Sequence, residues 1–94
     1  MTYKNVLWTN DGVYISNTKA RAAARDCVKH FGQGEKLLFA LEVYDKGKQV
    51  ADHHGLSYGW NQLHNEGTFI YLMARYKEDL PGAKFRVAAV QVGI

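Results

Sequence analysis

The chain has 94 residues, of which 47% are hydrophobic and 22% charged, with a formal net charge of +3. That is enough for one core and too little for two, and neither half has the aromatic-poor, charge-rich composition of a disordered segment. The single cysteine, Cys27, excludes an intramolecular disulfide and a cysteine-rich zinc site. One compact domain over residues 1–94 is therefore expected.

No basic segment followed by an apolar signal core opens the chain, and no apolar run approaches the roughly 20 residues that span a bilayer. These features, with an unpaired thiol, give a cytoplasmic, non-membrane setting as the expectation. The mild positive charge is compatible with an acidic protein or a nucleic acid as partner and selects neither, because acidic and basic residues are interspersed.

Taken in chain order, Lys4 to Trp8 and Val13 to Ile15 have β-favouring side chains on either side of Thr9-Asn10-Asp11-Gly12, which predicts an opening hairpin. Ser16-Asn17-Thr18 breaks the strand pattern and can cap a helix. Ala20, Ala24, Cys27, Val28 and Phe31 then recur at spacings near three and four, and Gly32 is a natural stop. This is the main amphipathic helix, and Arg21, Arg25 and Lys29 form a separate basic stripe on its outer side.

Lys36 to Tyr44 alternates as a strand, with Leu37, Phe39, Leu41 and Val43 on one face and Leu38, Ala40, Glu42 and Tyr44 on the other. Asp45-Lys46-Gly47-Lys48 reads as a turn, and Gln49 to Leu56 carries only a weak signal. Ser57 can cap a short helix or ordered loop anchored by Trp60 and Leu63. Thr68 to Tyr76 and Phe85 to Val92 read as two more strands, joined as a hairpin through the turn at Asp79-Leu80-Pro81-Gly82-Ala83. The expected fold class is α+β in the order ββαβ, loop or short helix, ββ. It would have a mixed or mainly antiparallel sheet of four or five strands with one main helix on one face.

Two surfaces are candidates for contact. Arg21, Arg25 and Lys29, with Lys19 at the edge, can meet carboxylates or phosphates. Tyr58 and Trp60 can form an aromatic hot spot, stack on bases, or simply anchor their segment to the core.

Acid-base and metal candidates are weaker. Cys27 and His30 lie three residues apart on the helix, but a nucleophile also needs an exposed thiolate and an aligned base. His53, His54 and His64, with Asp52 and Glu66, offer nitrogen and oxygen donors without a His-Glu-x-x-His or paired-cysteine spacing. Gly32-Gln33-Gly34-Glu35-Lys36 follows a helix and precedes a strand, the reverse of a phosphate cradle.

The sequence therefore points to a small nonenzymatic interaction or regulatory domain, an inhibitor or adaptor without a cofactor, that binds a protein through the basic helix face or the aromatic loop. A nucleic-acid-binding module using Arg21, Arg25 and Lys29 is the alternative. A small histidine- or metal-dependent enzyme is the third class.

Overall fold

The computed structural model describes residues 5–10, 12–32, 37–59 and 68–91. Its elements are β1 (Val6–Thr9), α1 (Asn17–Phe31), β2 (Leu37–Asp45), β3 (Lys48–Leu56), α2 (Phe69–Asp79) and β4 (Lys84–Gln91). The four strands form one antiparallel sheet in the order β1-β4-β2-β3. The α+β class holds, and among the described residues the order is βαββαβ, with two helices in place of one main helix.

α1 begins where its cap was expected: Ser16 is extended and its Oγ accepts the Lys19 amide at 3.3 Å. It ends at Gly32, whose φ of 119° is open to glycine and strained for other residues. Ala20, Ala24 and Cys27 are its buried positions, as the spacing requires. The Asp45–Lys48 turn also forms, with positive φ at both Lys46 (54°) and Gly47 (80°), the geometry that suits a two-residue hairpin.

Three local expectations are corrected. The segment from Phe69 to Tyr76 is helix α2 rather than a strand, so no C-terminal hairpin exists and Pro81-Gly82 joins a helix to β4. Its apolar run satisfies period 2 and period 3.6 alike, and burial of Phe69 and Met73, four residues apart, selects the helix. Conversely, Gln49 to Leu56 lies within strand β3. Its alternation is hidden because Val50 is extra between the pairs Tyr44↔Gln49 and Val43↔Ala51, and a second irregularity falls between His53 and Leu56. Gly55, with φ of 67°, sits in that second bulge. Two bulges on an edge strand also twist it away from pairing with another chain. The short helix or ordered loop expected after Ser57, with anchors Trp60 and Leu63, falls from residue 60 onward outside the described residues.

The opening hairpin is the third correction. Val6–Thr9 and Ile15 both run along β4 in the same direction, with Thr9 opposite Ala88 and Ile15 bridging Phe85. Asn10 mends the ladder between them. Its Oδ1 accepts the Val87 amide at 2.6 Å, and its Nδ2 donates to the carbonyls of Val13 (2.9 Å) and Phe85 (3.3 Å). An Asn10→Ala change strands the Val87 N–H, at an expected cost of about 1–3 kcal/mol. Asn10→Asp keeps that acceptor and should lose less. Denaturant midpoints and hydrogen exchange at the Val87 amide check this, and unchanged protection in the alanine variant would refute the mending role.

Both helices supply the core on one side of the sheet. Phe39, Leu41 and Val43 of β2 and Phe85, Val87 and Ala89 of β4 meet Ala20, Ala24 and Cys27 of α1 and Phe69 and Met73 of α2. On the opposite face, Arg86 Nη2 donates to Glu42 Oε1 at 3.0 Å and to the Tyr44 hydroxyl at 3.2 Å. The Tyr44 hydroxyl donates in turn to Glu42 at 2.8 Å, and the Tyr14 ring stacks on the Tyr44 ring at 4.4 Å. Burial alone would raise the Glu42 pKa; Arg86 and Tyr44 outweigh it and hold the carboxyl below its ordinary value.

Candidate functional site

The two surfaces read from sequence meet. Thr18, Arg21, Ala22 and Arg25 of α1 share a groove of about 300 Å³ with Tyr58 and Ile70. Arg21 and Arg25 reach it because residues four apart stack on one side of a helix. Tyr58 reaches it through the start of α2. The α2 cap residue Thr68 makes no side-chain cap, and the carbonyls of Ser57 and Tyr58 accept the amides of Phe69 (2.6 Å) and Ile70 (3.3 Å) instead. The stretch after β3 is thereby fixed to the helix, and the Tyr58 ring lies 6.5 Å from that of Phe39.

Asn17 sets the spacing of the helices by donating from Nδ2 to the Met73 carbonyl at 2.8 Å. Its Oδ1 and the Nε of Arg21, one helical turn away, are both buried without a hydrogen-bond partner. Arg21 is half-buried, whereas Arg25 is exposed. With no acidic residue in the first turn of α1, the positive end of the helix dipole adds to the two guanidiniums. The described lining has two cationic donors, the two hydroxyl-bearing residues Thr18 and Tyr58, and the apolar Ala22 and Ile70, which together suit a carboxylate or phosphate attached to an apolar or aromatic body.

The remaining contact candidates disperse. Lys29 is exposed one turn beyond Arg25 and does not line the groove. Lys19 is exposed roughly 160° around the helix from Arg21, so it does not extend that stripe. Trp60 lies outside the described residues. Ile70 and Thr18 were not singled out from sequence; Ile70 carries no signal there, because it was assigned to a strand.

Among the acid-base candidates, the two histidines of β3 stand apart from Cys27 and His30, which line one groove with Asp26. His53 pairs with Leu41 on the helix side of the sheet, where its Nε2 lies 2.7 Å from the Tyr76 hydroxyl. Burial lowers its pKa, which favours the neutral ring. His54 lies 3.2 Å from Asp52, and both are exposed. Cys27 is on α1 with its thiol pKa raised, first by burial and then by the charge of Asp26, the opposite of what an activated nucleophile needs. His30 packs edge-on against Phe31 at 4.6 Å. His64 and Glu66 lie outside the described residues. Among the described residues, no three His, Cys, Asp or Glu side chains gather as metal ligands, and no helix is long and apolar enough to cross a membrane. No protein-family model, curated protein or solved structure matches this chain.

Proposed function

We propose that this is a nonenzymatic interaction domain that docks an acidic segment of a partner protein in the Arg21–Arg25–Tyr58 groove. The reading rests on one observation: the basic stripe and the aromatic residue, separated by more than thirty positions in the chain, line the same groove. A carboxylate held by paired guanidiniums gains charge-assisted hydrogen bonds, and a neighbouring apolar side chain gains contact with Tyr58 and Ile70. At about 300 Å³ the groove accepts one or two side chains, so a short linear segment fits it better than a folded surface.

Nucleic acid is the second reading, favoured by the same arrangement of a ring beside two phosphate-binding cations. Both readings are tested by fluorescence anisotropy with a labelled Asp/Glu-rich peptide containing one Phe, a single-stranded RNA and a DNA duplex, titrated at low and moderate salt. The peptide is expected to bind at low salt and weaken as salt rises. Arg25→Glu, at an exposed site, should weaken it at least tenfold with the circular dichroism spectrum unchanged. Nucleic acid binding with the same Arg25 dependence, and no peptide binding, would transfer the groove to the second reading. Binding of neither, or binding indifferent to Arg25, would end both.

A further inference from the structure

A second groove lies on the other side of α1, and its chemistry is the reverse of the first. Trp8 of β1 and Ala23, Asp26, Cys27, His30 and Phe31 of α1 enclose about 420 Å³. The volume falls within the span of roughly 300–1,000 Å³ typical of small-molecule sites. The register explains how it forms. A bulge at Leu7 lets Trp8 pair with Ala89 on the helix side of the sheet, so the indole faces the last two turns of α1. Phe31, the final helical residue, is 39% exposed, and the edge-on contact from His30 fixes its ring at the rim.

The described lining therefore combines the indole of Trp8, the rings of Phe31 and His30, the side chains of Ala23 and Cys27, and the exposed Asp26. Ring faces and a carboxylate present negative potential together. The charge of Asp26 is felt at Cys27, where it adds to burial in raising the thiol pKa. A field that opposes a thiolate there favours a cation. Arg25 and Lys29, next to this stripe in sequence, are exposed and do not line the groove.

We propose that this groove binds a small organic ammonium ion on an apolar body, with its charge between the Asp26 carboxylate and the rings of Trp8 and Phe31. An inorganic cation would leave the rings uncovered. A neutral apolar molecule would leave the carboxylate unused, and an anion would meet the wrong sign.

The test uses choline and its uncharged carbon isostere, 3,3-dimethylbutan-1-ol, on the full chain. Cys27 is the sole cysteine and only 5% exposed, so iodoacetamide reaches it through opening of the fold, and a molecule bound to the closed groove slows that alkylation. Choline is expected to slow alkylation in a saturable way, with the isostere weaker by roughly 2- to 30-fold, the range spanned by cation–aromatic attraction from exposed to desolvated settings. Asp26→Asn, at an exposed position, should lower choline protection several-fold and leave the isostere unchanged; Trp8→Leu should weaken both. Calorimetry gives the same order independently of the thiol. Equal protection by both compounds, choline protection indifferent to Asp26→Asn, or none from choline at tens of millimolar would overturn the proposal.

Discussion

Replacing Phe39 by alanine is expected to destabilise the domain by about 3–5 kcal/mol, the general cost of removing a buried phenylalanine and leaving its cavity. Phe39 is fully buried at the centre of the helix side of the sheet, its ring 5.1 Å from that of Phe69 and 6.5 Å from that of Tyr58. A domain of this size has on the order of 5–14 kcal/mol of stability, at about 0.05–0.15 kcal/mol per residue, so the change removes a large share of it. The guanidinium midpoint, followed by circular dichroism, should fall steeply, and Phe39→Leu should lose less by keeping most of the volume. A loss below about 1 kcal/mol in the alanine variant would contradict the placement of Phe39. Because Tyr58 leans on Phe39, the variant should also loosen the Arg21–Arg25–Tyr58 groove. Reduced binding in it would then report on packing, not on contact with a ligand.

Arg86→Met should have an effect of similar size by a different route. The Arg86 and Glu42 side chains are 19% and 9% exposed, so removing the cation leaves a carboxylate in a poorly solvated place, with its hydrogen bond from Tyr44 but without its guanidinium. Breaking a buried pair from one side costs about 3–5 kcal/mol, whereas replacing both members by apolar residues is often close to neutral. The double variant Glu42→Leu/Arg86→Met should therefore recover most of the loss.

The pH dependence separates this account from simple loss of packing. In the native protein the Glu42 pKa lies below its ordinary value of 4.5, so its contribution to stability is complete above that value. It is lost as pH falls through the folded-state pKa. In Arg86→Met the lowering influence of the guanidinium is gone while burial and Tyr44 remain, so the folded-state pKa rises toward the unfolded one. The gain in stability that Glu42 gives as pH rises should therefore shrink. Denaturant midpoints measured between pH 3 and 7 should differ in slope between the two proteins. Parallel profiles would show that Glu42 does not depend on Arg86.

Sequence alone determined the features that local chemistry decides. The Ser16 cap, the spacing of Ala20, Ala24 and Cys27, the stop at Gly32 and the Lys46-Gly47 turn each follow from residues within a few positions of one another, and all are present. The alternation of Leu37, Phe39, Leu41 and Val43 likewise fixed which face of β2 joins the core under the helices. The i,i+4 stripe placed Arg21 and Arg25 on one side of α1.

Where two local patterns were equally good, the tertiary structure chose. Phe69 to Tyr76 fits a strand or a helix, and the helix wins because Phe69 and Met73 then both reach the core beside α1. Asn10 reads as a turn residue, and only the neighbouring edge of β4 makes it a substitute for backbone. Bulges in β3 shift the side-chain phase twice, so its strand character depends on pairing with β2. The meeting of Arg21 and Arg25 with Tyr58, and of Trp8 with Asp26 and Phe31, could not be read from spacing. Each joins segments distant in the chain, and both are set by where the sheet register and the α2 cap place the second partner.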